Sequence, residues 1–172
     1  MNTQHLTVCV ADIDRYNLAT RHLTLEQVAE FLQGFYERVG EVLLSHSGRL
    51  VKYIGDAALM TFDAGKEEVA VRAMWSLRSV YQEWVDGLST DLAVSELCVG
   101  IATGQVVVGQ FGHPRMLQYD VVGRPVTIAS FLLNCGGVVM DKATSEAVAG
   151  RVQMETATAP GGVTGYRVTG LR

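Results

Sequence analysis

The sequence predicts an α+β fold with a mostly antiparallel sheet and helices on one face of it. Three observations predict it. Short β-branched apolar runs alternate with two long stretches of helical apolar spacing. Pairs of alternating runs flank glycine-containing turns and read as hairpins. The resulting order, strand–helix–hairpin–helix–hairpin, is that of an α+β layer architecture, ferredoxin-like at its centre.

The elements follow in order. Leu6–Ala11 is a short apolar run that stops abruptly at Asp12-Ile13-Asp14, a buried strand delivering carboxylates at its C-terminal end. From Thr24, apolar residues recur at Leu25, Val28, Leu32, Phe35, Val39, Val42 and Leu43. That spacing predicts a helix with Thr24 as N-cap and Gln27 completing a capping box, ending near Ser47-Gly48. Arg49–Ile54 and Ala57–Phe62 flank Gly55-Asp56 and predict a hairpin with a tight turn. Glu67 to about Trp84 carries Val71, Met74, Leu77, Val80 and Trp84 on one stripe, a second long helix. Leu97–Ala102 and Val106–Phe111 read as a second hairpin turning at Thr103-Gly104, followed by a polar connection, Gly112–Arg115. A strand over Leu117–Val122 then leads through Gly-Arg-Pro into a helix with Pro125 at its first position, running to about Asn134. Gly137–Met140, a short helix near Thr144–Val148 and a strand around Tyr166–Thr169 complete the chain.

Composition narrows the functional classes. At 172 residues, one domain over 1–172 is expected, with enough chain for a sizeable core. The net charge is −4, with acids and bases interleaved, which argues against nucleic acid and against a polybasic membrane surface. No run of about 18 apolar residues predicts a membrane span. The start, MNTQHLTV, lacks the basic and apolar regions of a signal peptide. The cysteines (Cys9, Cys98, Cys135) are few and far apart, and they read as reduced thiols of a cytoplasmic protein.

Asp12 and Asp56 carry the first chemical signal, one at a strand terminus and one at a hairpin tip. On adjacent strands their carboxylates would share a cation, and an oxygen-only pair suits Mg²⁺ or Mn²⁺ with the remaining ligands drawn from substrate phosphates. Spacing alone favours a plainer reading, two solvated turn acids.

The surrounding pattern favours the metal reading. Asp12-Ile13 followed by Asp14-Arg-Tyr-Asn17, then VKYIGDAALMTF, VGIATGQVVVGQFG and YDVVG with a helix after it, resembles the class III adenylyl/guanylyl cyclase family from about residue 6 to 140. The resemblance implies two metal ions, Mg²⁺ or Mn²⁺, held by Asp12 and Asp56 with the Ile13 carbonyl assisting. It implies a head-to-tail dimer, each site taking its metals from one chain and its base-recognition residues from the other. Lys52 matches the lysine that reads the purine, and Asp120 matches its acidic partner. A carboxylate accepting from an exocyclic amine beside an ammonium donating to a ring nitrogen matches adenine, so the pair points to ATP. Arg15 stands where the family has a glycine of the triphosphate cradle, and Tyr16 where it has an aromatic. Arg15 would either pair with phosphate or narrow that cradle.

The pattern breaks on the helix after YDVVG. The family's Asn and, four residues on, its Arg fall at Thr127 and Phe131. Threonine still forms hydrogen bonds; phenylalanine supplies no charge. The loss of one preorganised transition-state donor costs on the order of 10²–10³ in rate. Arg124 lies three residues before Thr127, on the same helical face; it reads either as a solvated arginine at the helix start, the plainer reading, or as the replacement for the missing cation. The expected activity is therefore a weak conversion of ATP to cyclic AMP and pyrophosphate. The alternatives are a silent nucleotide-binding or dimerisation module and the metal-supplying half of a heterodimer.

Overall fold

The computed structural model describes residues 1–172. Its eight strands are β1 (Asn2–Asp14), β2 (Arg49–Ile54), β3 (Ala57–Asp63), β4 (Glu96–His113), β5 (Met116–Val122), β6 (Val138–Met140), β7 (Val152–Thr158) and β8 (Thr164–Leu171). The helices are α1 (Tyr16–Thr20), α2 (Leu25–Ser45), α3 (Glu67–Asp86), α4 (Arg124–Leu132) and α5 (Lys142–Ala147). One sheet runs in the order β2-β3-β1-β4-β6-β8-β7, with β5 paired to β4. Only the β4–β6 pair is parallel. The α+β class and the mostly antiparallel sheet are as the sequence predicts.

Strand parity builds two cores. Cys9, Ala11 and Ile13 of β1 point to the face covered by α2 and α3, where Phe35, Val39, Met74 and Leu77 complete a 28-residue cluster. Leu6, Val8 and Val10 point to the other face, into a cluster with Leu59, Val106, Val121 and Ala129 of α4. Helices therefore cover both faces, which corrects the one-face expectation. α4 is short and only moderately amphipathic, so its sequence does not show which face it packs against. Its approach is visible at Gly100, where an added Cβ would lie 1.8 Å from the Ala129 carbonyl oxygen. Only glycine lets the α4 backbone lie directly on β4 there.

The α2 start is the expected capping box: the Gln27 N–H donates to Thr24 Oγ1, and the Thr24 N–H donates to Gln27 Oε1. The Gly55-Asp56 hairpin also forms where expected. Thr103-Gly104 does not turn. β4 runs straight through it for 18 residues, and the reversal comes at Pro114-Arg115, between β4 and β5. Gly104 is needed for a close approach instead: a Cβ there would meet Pro125 of α4 at 3.1 Å. Thr103 stays in the ladder because its hydroxyl bonds those of Thr7 and Thr144. Strand β7 was not foreseen from its polar alternation; it forms an edge by pairing with β8.

Candidate active site

Antiparallel register brings the two acids together. Ala57 is the partner of Asp12 across the β1–β3 ladder, so the Gly55-Asp56 turn sits at the end of β1. The Ile13 N–H donates to the Asp56 carbonyl at 3.2 Å and ties the turn to that strand end. Ile13 itself is buried in the α2–α3 core. A layer of tyrosines supports the turn from the other side: Tyr36 stacks on Tyr53 at 3.9 Å, and the Tyr36 hydroxyl donates to the Gly55 carbonyl at 2.6 Å. The Tyr53 hydroxyl donates in turn to the Tyr36 carbonyl at 3.0 Å. These tyrosines were not singled out in the sequence.

Burial pushes the Asp12 carboxyl up from its ordinary 3.8 to about 6, and the neighbouring Asp56 and Asp14 charges push the same way. Of the three carboxylates around this strand end, Asp14 has Arg15 beside it at 3.5 Å, while Asp12 and Asp56 pair with no cation of the chain. Asp14 joins the site by simple parity, two residues beyond Asp12 on the same face. Asp12 and Asp14 line a cavity of about 330 Å³ with Cys98, Leu133, Asn134, Cys135 and Gly136. The acids do not belong to any cage of three or more His, Cys, Asp or Glu residues. Such a pair fits a hard divalent cation that takes its other ligands from water and phosphate oxygens.

Lys52 and Asp120 sit in a separate cavity of about 320 Å³. Val10, Ala57, Leu59, Gly123, Val126, Thr127 and Ser130 also line it. A bulge at Val51 sets Lys52 opposite Leu59, on the face that α4 covers. Lys52 Nζ donates to Asp120 Oδ2 at 2.5 Å, an ion pair joining β2 to β5 across 68 residues of sequence. Asp120 Oδ1 accepts from the Val121 N–H at 2.8 Å, which fixes its carboxylate plane.

The remaining predicted residues separate. Thr127 lines the Lys52–Asp120 cavity, while Phe131 is 49% exposed beside it, next to Val126, Ser130 and Asn134. Arg124 is exposed on the first turn of α4 and does not line that cavity. Arg15 adopts a left-handed backbone (φ 59°), the conformation glycine takes most readily. Its guanidinium folds back to the Val94 carbonyl and to Asp14, at 3.4 and 3.5 Å. Tyr16 opens α1 and stacks near Phe31, and burial and the Asp56 charge raise its hydroxyl pKa.

One α+β sheet thus carries two half-sites, a cavity lined by carboxylates and a cavity holding a Lys–Asp pair. A model of the adenylate and guanylate cyclase catalytic domain matches residues 1–160, and the chain belongs to that class III family. An adenylate cyclase of Anabaena cylindrica is 27% identical over 134 residues, 75% of this chain and 27% of that protein. The adenylyl cyclase CyaB from P. aeruginosa superposes with a TM-score of 0.84 at 24% identity, covering 100% of this chain and 98% of that one. The guanylyl cyclase Cya2 superposes with a TM-score of 0.85 at 24% identity, covering 99% of this chain and 94% of that one. The chain spans about a quarter of the length of the sequence relatives it matches. No helix is long and apolar enough to cross a membrane.

Proposed function

We propose that this domain converts ATP to cyclic AMP and pyrophosphate, slowly, in a dimer whose sites lie between chains. The observation that carries this reading is the separation of the two half-sites. Asp12 lines one cavity and the Lys52–Asp120 pair another. A nucleotide engaging both sets of residues is best served by a second domain facing the first.

Asp12 and Asp56 would hold Mg²⁺ or Mn²⁺, with the Ile13 carbonyl as a further ligand. Bound divalent ions supply Lewis-acid stabilisation of the charge on the attacking and leaving oxygens. Asp120 accepts from the adenine amine, and Lys52, with three donors, keeps its ion pair while donating to a ring nitrogen. The adenylyl and guanylyl relatives are equally similar, so the base preference rests on this Lys–Asp pair. The ribose 3′-hydroxyl gives up its proton to solvent as its oxygen attacks the α-phosphorus, the bond from that phosphorus to the β-phosphate bridge breaks, and pyrophosphate leaves. Thr127 offers a hydroxyl to the sugar. Arg124, exposed one turn before it, is the cation in this chain that reaches toward the phosphates in place of the family arginine.

A second reading is favoured by Phe131. An exposed aromatic at the place of a transition-state cation suits a contact surface, as in a silent dimerisation module or the metal-supplying half of a heterodimer. An assay of the purified chain with Mn²⁺-ATP decides between them. Cyclic AMP formation that disappears in Asp56→Ala supports the cyclase. Nucleotide binding without turnover supports the module. Cyclic GMP as the main product from equimolar ATP and GTP would overturn the base assignment.

A further inference from the structure

Arg78 Nε is the one buried side-chain nitrogen or oxygen in the chain without a hydrogen-bond partner. Buried polar groups are almost always satisfied, so an orphan of this kind marks a place where a water or an ion belongs. Arg78 projects from α3, and its Nη2 only just reaches Glu96, at 3.4 Å. It lines a cavity of about 130 Å³ with Trp75, Gly137, Val138, Arg167 and Val168. The lining therefore holds two guanidinium side chains, whose carboxylate partners, Glu96 and Glu155, lie outside it.

The second guanidinium is held firmly. Arg167 Nη1 pairs with Glu155 at 2.7 Å, Nε donates to the Gly136 carbonyl at 3.2 Å, and Nη2 donates to the Cys135 carbonyl at 2.6 Å. Gly137 has φ +74°, and an added Cβ there would lie 3.6 Å from Arg167 Cδ. Glycine thus keeps the cavity wall thin beside the arginine stem. The space exceeds the roughly 30 Å³ share of one water in the liquid and suits a single small oxyanion. Guanidinium groups bind such anions through paired, charge-assisted hydrogen bonds.

We propose that the cavity between Arg78 and Arg167 is a binding site for a small oxyanion of the phosphate or carboxylate class. It lies outside both half-sites described above, and its occupancy does not depend on the cyclase reading. It adjoins them through one segment. Cys135 and Gly136, whose carbonyls Arg167 holds, also line the Asp12–Asp14 cavity. An anion bound beside Arg167 braces that shared wall from behind.

The test follows the arginine Nε–Hε resonances by ¹⁵N NMR in the full chain at neutral pH. Sodium phosphate and sodium acetate are titrated against sodium chloride at matched ionic strength. The expected result is a saturable shift of the Arg78 resonance with phosphate, acetate or both, and none with chloride; the stronger ligand identifies the class. Arg78→Met is expected to weaken binding about tenfold or more, since it removes a charge-assisted donor set. Arg78→Lys keeps the charge, removes the orphan N–H and serves where Arg78→Met does not fold; it too is expected to weaken binding. Linear shifts identical to those in chloride would overturn the proposal and leave the cavity to water. Full affinity retained in both variants would overturn it as well.

Discussion

The end of β1 and the exposed face of α4 sit on the same side of one sheet and differ in what they keep. At the strand end, Asp12, Asp14 and Asp56 crowd together, and the Asp12 carboxyl is raised to about 6 by burial and by its neighbours. On α4, Val126, Thr127, Ser130 and Phe131 present hydroxyls and apolar surface, with no charge among them. The first region costs stability and persists; the second is inexpensive to hold. Carboxylates kept at a cost to the fold are a mark of function rather than of folding. Phe131, exposed on α4, belongs to neither core.

The largest expected effect tests the costly region directly. Asp12→Asn should lower cyclic AMP formation on the order of 10³-fold, since metal-assisted charge stabilisation is worth several kcal/mol. The same variant should melt at a higher temperature than wild type at pH 7 without metal, because it removes a buried like-charge contact. Activity loss with no gain in melting temperature would break the comparison.

Next in size is the α4 face. Installing asparagine and arginine together, Thr127→Asn with Phe131→Arg, should raise kcat about 10²-fold if the missing cation is the limiting defect. No gain in single-turnover rate would place the defect elsewhere.

Proton competition at Asp12 comes third. The folded state holds this proton up to about pH 6 while the ordinary value is 3.8. Between those values the folded chain binds more protons than the unfolded one, so metal-free stability falls as pH rises through that window. The cost is then constant above it. Metal affinity runs the other way: Mn²⁺ binding should weaken below about pH 6, approaching tenfold per unit, as the carboxyl protonates. Calorimetric titrations at pH 5 and 7 check this, and equal affinities would mean that Asp12 is not a ligand.

Arg124→Ala should have the smallest effect. An exposed cation contributes about 1 kcal/mol at most, so KM for ATP should rise no more than about fivefold with melting temperature unchanged. An unchanged KM would remove Arg124 from the phosphate reading.

Some of this was legible in residue order, and some was not. The capping box at Thr24–Gln27, the hairpin around Gly55-Asp56 and the helical stripe of α3 are local, each set by contacts a few residues apart. Gly104 shows why the rest was not. A glycine after threonine carries the signature of a turn, yet here it makes room for Pro125, 21 residues further on, and β4 runs straight. Thr127 and Phe131 drew notice through the family resemblance alone, and their exposure followed only from the packing of α4. Cys98 and Cys135 lie 37 residues apart in the chain, and only the fold places both in the Asp12 cavity.

The sequence by itself determined the class of fold, the strand-end position of Asp12, the turn position of Asp56 and the absence of a cation at residue 131. These depend on period, turn chemistry and residue identity, which are properties of short segments. Tertiary structure decided that α4 covers the opposite face from α2 and α3, since strand parity sends Val8 and Val10 there and Gly100 admits the helix backbone. It also decided that the carboxylates and the Lys52–Asp120 pair occupy different cavities, and that Arg78 and Arg167 meet around a third. Those outcomes depend on register and close approach between distant segments, which no local pattern encodes.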